Sequence, residues 1–412
     1  MNRTTFNVEF VTPCFLDGAQ GSTEWRPASI RGQLRWWFRA VAGGAWRGDL
    51  ERVRQEEARI FGSTDRRSPL RIAAPPGPLP IRGDFGRKFT AVELAKLCKD
   101  SSAESRLKIL NERGQEEGTN PVHYLGFGPV AGGRIDRSYL ASGSKTKFDL
   151  QWEAELPEKV RPVFEQALWA WLNLGGIGAK SRKGFGSVRC ESNDRYCDPA
   201  DRKTFTEGVS RLLGPARELK HQPFWTHLSS GSRVFLATEG FGSWQDAMAS
   251  LGAWLIGFRR RYGYPNDSRE IAGTRLANRD YEWAAPKGRH PCQGAPDRAG
   301  FGLPIPFRRK VNGEPRGETV IWGLKSQGKP EEREKEADAR RASPLLLHVS
   351  RLGGAFVPVL TYVPAAFLPA AGRLKFKHRR TDPLALTEMQ RDIVSHFLNG
   401  LQSKGLITEV AP

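Results

Sequence analysis

The sequence has few cysteines, and their spacing excludes the common cysteine-based architectures. Five are spread over 412 residues, and none forms a CxxC pair. An odd number of widely spaced cysteines argues against a disulfide scaffold and for a reducing compartment. A zinc site could draw on Cys190, Cys197, His290 and Cys292, but their spacings fit no usual finger or ribbon. The sequence therefore predicts no metal site and no cofactor, with these four residues as the weak alternative.

Long hydrophobic runs and targeting signals are also missing. The N-terminus lacks the charged, apolar and small-residue order of a signal peptide. The longest uncharged stretch, residues 353–372, contains three prolines and alternates like strands joined by turns, which argues against a membrane helix. These absences predict a cytoplasmic protein that makes no membrane contact.

Motifs for catalysis are lacking as well. The sequence has no GxSxG or HExxH motif, and none of its seven histidines precedes His123. Acid–base cleavage of a phosphodiester would need a histidine beside the phosphate. Asp17 is a candidate catalytic carboxylate, but an aspartate before a glycine is far more often a turn residue. We therefore predict no catalytic residue and a protein that is not an enzyme.

Acidic residues are too few to balance the basic ones. The chain has 64 Lys and Arg against 45 Asp and Glu, which gives a net charge of +19 and a pI near 10.0. Such an excess indicates a polyanionic partner, because each phosphate that a cation neutralises releases a condensed counterion. A soluble protein from an arginine-rich proteome is the alternative.

The chain is too long for one ordinary core, and its pattern of elements repeats. Each half is predicted to contain a strand, an amphipathic helix, further strands and a final helix, the order of a ferredoxin-like fold. We expect an α+β protein with two ferredoxin-like (RRM-like) domains in tandem, residues 1–200 and 221–412, and loop-rich insertions at 62–120 and 265–345. The predicted helices cover 29–42, 158–174, 244–258 and 386–403, and the predicted strands cover 3–12, 187–191, 233–238, 344–350 and 355–363.

The first predicted helix carries an arginine stripe, consisting of Arg31, Arg35 and Arg39. Ser29 is its expected N-cap and Gly43-Gly44 its expected stop. The stripe runs beside the apolar face, and no acidic residue occurs between Arg26 and Asp49. Guanidinium groups without acidic partners suit phosphates, although an ordinary solvated flank is the alternative. The predicted apolar face comprises Ile30, Leu34, Trp37, Phe38 and Val41.

The glycine-rich loop, residues 175–188, is the second candidate phosphate-binding element. Its sequence, GGIGAKSRKGFGSV, is neither a Walker A loop nor a Rossmann fingerprint. Glycines such as Gly176 and Gly178 permit close backbone approach to a ligand, and exposed N–H groups can form an anion-binding nest. The alternative is a helix C-cap that leads into a tight turn. The polar side chains of the loop are Lys180, Ser181, Arg182 and Lys183.

Two further expectations follow from these elements. In a ferredoxin-like domain the last loop and the first helix can lie close together, so we expect one groove with the stripe on one wall and the loop on the other. Arg259 and Arg260 directly follow the helix predicted at 244–258. At this C-terminal end they either contact RNA or complement the helix dipole.

The motif at residues 27–39, PASIRGQLRWWFR, resembles the first helix of RAMP-superfamily CRISPR proteins. The strand that ends at Val11-Thr12-Pro13 and the glycine-rich loop resemble elements of the same superfamily. Within it, the chain is most similar to the first-numbered subunit of the type III-B (Cmr) effector complex, through residues 30–40 and the FGLPIPF segment at 301–307. Phe38 departs mildly from the pattern of this family, in which another Trp or aromatic residue is usual at that position.

The resemblance implies two RAMP domains and a role in antiviral defence. It implies a non-catalytic, RNA-binding subunit that contacts the 3′ region of a guide RNA, helps capture target single-stranded RNA and binds other Cmr subunits. Target cleavage belongs to a different subunit of that complex. The alternative within the superfamily is an endoribonuclease that processes CRISPR precursor RNA, which would need a histidine or a Tyr/Lys set facing the loop.

Overall fold

A computed structural model describes residues 2–410 except 17, 19–22, 112, 132–133, 192–198, 220–222, 262–296, 304, 312–313, 325–340, 367–371 and 377–391. The helices are α1 (Pro27–Ala45), α2 (Leu50–Phe61), α3 (Ala91–Leu97), α4 (Glu104–Leu107), α5 (Pro121–Leu125), α6 (Arg161–Leu174), α7 (Arg202–Leu213), α8 (Trp244–Arg261) and α9 (Ile393–Ser403). The strands are β1 (Asn2–Phe10), β2 (Leu70–Ala73), β3 (Val130–Ala131), β4 (Arg134–Ile135), β5 (Lys145–Trp152), β6 (Val188–Cys190), β7 (Arg233–Ala237), β8 (Ile305–Val311), β9 (Glu314–Leu324), β10 (Leu345–Leu352), β11 (Ala355–Tyr362), β12 (Gly372–Phe376) and β13 (Ile407–Glu409).

The first four-stranded sheet has the order β2-β5-β1-β6, and all its neighbouring strands are antiparallel. Residues alternate along β1, so Phe6, Val8 and Phe10 are buried on one face. Phe6 stacks on Phe148 of β5 with ring centroids 4.8 Å apart. The helices α1 and α6 connect β1 to β2 and β5 to β6, and they pack against each other. The predicted apolar face of α1 is confirmed, since all five of its residues are buried.

The second four-stranded sheet repeats this arrangement, with the order β10-β11-β7-β13 and antiparallel neighbours throughout. Here α8 lies between β7 and β10 in the chain, and α9 lies between β11 and β13. A three-stranded sheet, β12-β9-β8, and the β3–β4 pair complete the strand pairings of the described residues. The prediction of a mixed α and β protein is therefore confirmed, and the protein contains two antiparallel four-stranded sheets.

Helix α1 differs from the prediction at both ends. It begins at Pro27, and its N-cap residue Arg26 makes no side-chain capping bond. It continues through Gly43 and Gly44, which the sequence predicted as its stop, to Ala45. A Cβ atom at Gly43 would lie 2.5 Å from the Cβ of His227, and one at Gly44 would lie 2.9 Å from the Cβ of Ala216. These glycines therefore admit the neighbouring segment against the helix instead of ending it.

Two segments that the sequence left without regular structure contain elements. The predicted insertion at 62–120 supplies β2, an edge strand of the first sheet, together with α3 and α4. The passage between the halves contains α7, whose N-cap Asp201 forms a capping box with Thr204. The remainder of the predicted helix 386–403 before Asp392 lies outside the described residues.

The two halves meet at a seam, defined here as the contact between residues 2–190 and residues 233–410. The glycine-rich loop follows the outer edge of β10, where the N–H of Leu347 donates to the carbonyl of Arg182 at 3.1 Å. The N–H of Val349 donates to Ser187 Oγ at 3.1 Å. Buried apolar side chains of both halves belong to one continuous cluster. The loop thus occupies an edge of the second sheet while belonging to the first half.

Among the described residues, none of the helices combines the length and the apolar character that a bilayer crossing requires.

Candidate nucleic-acid interface

The guanidinium of Arg31, the first member of the arginine stripe, binds to the protein itself. It donates to the carbonyl oxygens of Phe61 at 3.3 Å and Leu70 at 2.9 Å, and to Ser68 Oγ at 3.1 Å. These partners lie at the end of α2 and the start of β2, so Arg31 joins three elements of the first half. Burial, followed by repulsion from Arg35, lowers its pKa.

Arg35 and Arg39 share one buried carboxylate, that of Glu57 on α2. Arg35 donates to Oε1 through Nε at 2.8 Å, and Arg39 donates to Oε2 through Nε at 2.5 Å. Burial opposes ionisation of Glu57, but hydrogen bonds from Arg39 and Arg35 outweigh it and hold its pKa below the ordinary value. The sequence interval from 26 to 49 contained no acidic partner, and the inference that the stripe lacks one is wrong because Glu57 comes from the next helix.

A signal for this pairing was present in the sequence. Glu57 lies on the apolar face of α2, with Val53 four residues before it and Ile60 three residues after it. A carboxylate on such a face needs a partner. The stripe keeps a positive balance of three guanidiniums to one carboxylate, and the side chains of Arg35 and Arg39 remain 38% and 48% exposed.

The glycines of the loop are required by close packing. Gly186 has a φ of +64°, and a Cβ there would lie 1.9 Å from the carbonyl oxygen of Ile177. A Cβ at Gly184 would lie 2.6 Å from Met248 Sδ on α8. Gly176 and Gly178 are crowded in the same way by backbone atoms of the first half.

Several N–H groups of the loop, including those of Ile177 and Ala179, donate to backbone carbonyls. Helix α6 also ends at Gly175, its C-cap residue, as predicted. These positions therefore have the geometry of the alternative interpretation, a cap that leads into a tight turn.

Arg182 connects the loop to both α1 and the second half. Its guanidinium carbon lies 4.6 Å from the ring centre of Trp36, and NH1 donates to the carbonyl of Ser343 at 2.7 Å. Burial, followed by repulsion from Arg341, lowers its pKa to about 10. The loop thus meets α1 at Trp36, about 100° around the helix from Arg35. The stripe contacts α2 and β2 instead. These contacts therefore do not place the stripe and the loop on two walls of one groove, as the sequence predicted.

Lys183 holds an ammonium group in an unusual position. Its stem is partly exposed, but Nζ has no contact with solvent and no hydrogen-bond partner among the described residues. Burial, followed by repulsion from Arg259, Lys180 and Arg182, lowers its pKa to about 7. The structure therefore brings cations of the loop and of α8 close enough to interact.

Arg259 reaches this region from the last turn of α8. NH1 donates to the hydroxyl of Tyr124 on α5 at 2.8 Å, and the guanidinium carbon lies 5.1 Å from the ring centre of Phe301. Its Nε is buried and has no partner among the described residues, and the same holds for Nε of Arg341. Arg341 is not among the residues that the sequence predicts for binding, because only the fold brings it beside Arg182.

We name these five cations the seam cluster: Lys180, Arg182, Lys183, Arg259 and Arg341. In the described part of the chain, no carboxylate forms an ion pair with Arg182, Lys183, Arg259 or Arg341. Lys180 lies on the same loop with a φ of +61°, next to Gly128, and Ser181 is partly exposed beside it. The side chain of Arg260 lies outside the described residues. The cluster therefore concentrates positive charge contributed by both halves.

His123 lies one residue before Tyr124 on α5. Its Nε2–H donates to Asp84 Oδ1 at 2.7 Å and to the carbonyl of Phe85 at 2.9 Å. This histidine therefore lies on the helix that contacts Arg259, which the sequence could not establish. The catalytic candidate Asp17 lies outside the described residues.

The weak zinc candidate receives no support from the described residues. Among them, no three His, Cys, Asp or Glu side chains come together as a metal site. Cys190 is buried, whereas Cys197, His290 and Cys292 lie outside the described residues.

Residues 7–189 match the family model described as the RAMP superfamily. More particularly, the chain is 29% identical over 204 residues to CRISPR system Cmr subunit Cmr1-2 of Pyrococcus furiosus, covering 46% of this chain and 96% of that protein. It is 30% identical over 166 residues to Cmr subunit Cmr1-1 of the same organism, covering 40% of each. The resemblance found at residues 27–39 is therefore confirmed.

The fold is similar to that of a solved structure. The apo crystal structure of Cmr1 from Pyrococcus furiosus matches with a TM-score of 0.53 and 19% identity, over 100% of this chain and 99% of that chain. A cryo-EM structure titled Type III-B Cmr-beta bound to cognate target RNA matches with a TM-score of 0.46 and 13% identity, over 97% of this chain and 99% of that one. The first likeness supports the fold across the whole length.

Proposed function

We propose that this chain is a non-catalytic, RNA-binding subunit of a type III-B (Cmr) effector complex. Its relatives carry the name of Cmr subunits, and residues 7–189 match the RAMP superfamily model. The repeated sheet order, with a helix after the first and third strands of each sheet, supports two ferredoxin-like domains within 1–200 and 221–412. Its partners are guide RNA, target single-stranded RNA and other subunits of the complex, in the cytoplasm.

The observation that carries the RNA-binding proposal is the seam cluster. Structural cations usually have acidic partners, whereas four members of this cluster have none among the described residues. A chain with a net charge of +19 attracts polyanions over its whole surface, and the cluster provides a place where phosphate oxygens find N–H donors. In this proposal Lys180, Ser181, Lys183 and Arg259 contact the RNA backbone.

The other predicted residues take supporting roles in the proposal. Gly176 and Gly178 shape the loop, and Arg182 orients it against Trp36 and the second half. Arg260 adds charge beside Arg259. The stripe supplies a weaker, partly neutralised positive surface on α1. RNA of the guide 3′ region and of the captured target is bound through its phosphates, without base readout.

The test is the affinity of the full chain for single-stranded RNA, measured by fluorescence anisotropy between about 50 and 300 mM salt. We expect a steep fall in affinity with salt and no cleavage with or without divalent metal. Changing Lys180, Arg182 and Lys183 together to Ala is expected to lower affinity about tenfold or more and to flatten the salt dependence.

The matched control removes the same charge elsewhere. Lys88, Lys96 and Lys108 are exposed on the first half, away from the loop in sequence. Changing these three to Ala lowers the net charge equally, so equal losses in the two triple variants would assign binding to overall charge and contradict a site at the loop. An unchanged affinity in the folded loop variant would contradict it as well.

A precursor-processing endoribonuclease is the second candidate, and one observation bears on it. The pair of His123 and Asp84 lies on and beside α5, which contacts the seam cluster through Tyr124. Specific cleavage of a CRISPR precursor RNA, abolished by His123→Gln, would favour this function over the first. Intact RNA after prolonged incubation is the result expected from the binding subunit.

A further inference from the structure

We propose that the seam cluster is a built site for one phosphate group, and that the bound group stabilises the contact between the two halves. The proposal concerns a single tetrahedral oxyanion, supplied either by the RNA backbone or by free phosphate. Its assignment to an RNA phosphate rests on the proposed function, whereas the existence of the anion site does not.

The first reason is the position of Lys183. An ammonium group without hydrogen bonds, shielded from solvent and surrounded by other cations, raises the free energy of the folded state. Buried polar groups in native proteins are nearly always satisfied, and a bound water or ion is one explanation for a group that lacks a protein partner. Lys183 therefore points to an anion as the missing partner.

The second reason is the supply of donors beside it. The Nε atoms of Arg259 and Arg341 are buried and have no partner among the described residues. Arg182 uses NH1 for the carbonyl of Ser343 and interacts electrostatically with Arg341. Guanidinium groups suit phosphate because they present N–H groups in a planar fork, and a tetrahedral oxyanion can accept from several donors at once.

The third reason is that the donors come from both halves. Arg182 and Lys183 belong to the glycine-rich loop, while Arg259 lies on α8 and Arg341 lies four residues before the start of β10. Without an anion, these like charges repel one another across the seam. Burial lowers the pKa of Arg182 and of Lys183 most, and this repulsion lowers both further. An anion between them would replace that repulsion by attraction, and binding would stabilise the seam.

The rim of the cluster permits entry from solvent. Lys183 has a partly exposed stem and a flexible side chain, so its ammonium can swing toward an incoming anion. Lys180 and Ser181 are partly exposed on the same loop and would meet the anion first. A phosphate is favoured over an acidic side chain of a partner protein because several cations lie within electrostatic range of one another, and one carboxylate would neutralise only one charge.

The experiment is thermal unfolding of the full chain at constant ionic strength in chloride, in inorganic phosphate and with single-stranded RNA. We expect phosphate and RNA to raise the Tm of the wild type by about 2 °C or more relative to chloride. Lys183→Met removes the buried charge and keeps the apolar stem. It is expected to raise the Tm in chloride and to abolish most of the shift caused by phosphate.

Two variants keep the test independent of one substitution. Arg259→Gln removes a donor from the second half and is expected to reduce the phosphate shift as Lys183→Met does. Lys203→Met, at an exposed position on α7, is the control and should keep the wild-type shift.

The outcomes separate the two proposals. A phosphate shift without any RNA binding would support the anion site and overturn the proposed function. RNA binding with equal phosphate shifts in the wild type and in Lys183→Met and Arg259→Gln would overturn the anion site and leave the proposed function standing. An equal shift with poly-glutamate would assign the cluster to an acidic protein partner and overturn the phosphate proposal.

Discussion

Lys183 is buried at the seam near other cations. Burial, followed by repulsion from these cations, makes its protonation sensitive to pH in the neutral range. In the folded protein its pKa is lowered to about 7, from an ordinary value of 10.5 in an exposed lysine. Between these two values the unfolded chain binds more protons than the folded one, so stability rises with pH. Below about pH 7 the ammonium is charged in both states and the full cost of burying it is present.

This linkage predicts a pH-dependent difference between Lys183→Met and the wild type. The variant is expected to be the more stable protein near pH 7, and its advantage is expected to shrink steadily toward pH 10. Urea unfolding of both proteins at several pH values measures this difference in the free energy of unfolding. Contributions from titratable groups that both proteins share cancel in the difference. A stability advantage that stays constant from pH 7 to 10 would contradict a buried Lys183 with a lowered pKa.

At the scale of elements, Glu57 ties α1 to α2. One carboxylate accepts hydrogen bonds from Arg35 and Arg39, which lie one turn apart on the same face of α1. Removing one partner of a buried ion pair leaves the other charges uncompensated, at a cost of about 3–5 kcal/mol for complete burial. The partly exposed arginines lower that figure, because water screens them.

Glu57→Gln is therefore expected to lower the free energy of unfolding by about 2 kcal/mol. Glu56→Gln is the matched control. Glu56 is the neighbouring residue, and its ion pair with Arg59 spans 3.2 Å on the solvent side of α2. The control is expected to change stability by less than about 0.5 kcal/mol. Denaturant unfolding measures both, and equal effects would remove the special role of Glu57.

The elements also show what local sequence patterns predict and what they miss. The buried face of α1 followed from helical spacing, which is a local property, and it is confirmed. The end of α1 at Gly43-Gly44 was wrong, because those glycines serve contacts with residues near Ala216 and His227, far along the chain. Glu57 was missed as a partner of the stripe because only helix packing brings it within reach.

The candidate site was predictable in its members more than in its arrangement. Lys180, Arg182, Lys183 and Arg259 stood out as basic residues, and the structure brings them into electrostatic contact. Their convergence depends on how the second half docks on the loop, which no periodicity encodes. The glycines were read as ligand-binding, whereas Gly184 and Gly186 are needed for packing against Met248 and Ile177.

At the scale of the whole molecule, the two sheets share their buried surface. The apolar cluster runs through both halves, and Trp254 of α8 donates to the carbonyl of Leu97 at 2.8 Å. His348 of β10 donates through Nδ1 to the carbonyl of Gly175, where α6 ends. Separating the halves would expose these apolar side chains and hydrogen-bonding groups to water. The halves are therefore expected to unfold together.

Equilibrium unfolding is expected to show one transition, with coincident midpoints by far-UV circular dichroism and by tryptophan fluorescence. The twelve tryptophans make fluorescence a sensitive probe of tertiary packing. Two separated transitions would show that the domains within 1–200 and 221–412 are independently stable, and that the seam contributes little to either.

The glycine-rich loop lies along β10, the outermost strand of the second sheet, through the contacts of Lys183 and Arg182 with Leu347. That strand has the sequence LLLHVSRL and is almost wholly buried. An apolar strand with free edge groups is a template for pairing with another molecule. The loop therefore also acts as a guard against aggregation, and a substitution that only loosens it would reveal itself first as loss of solubility, before any loss of secondary structure.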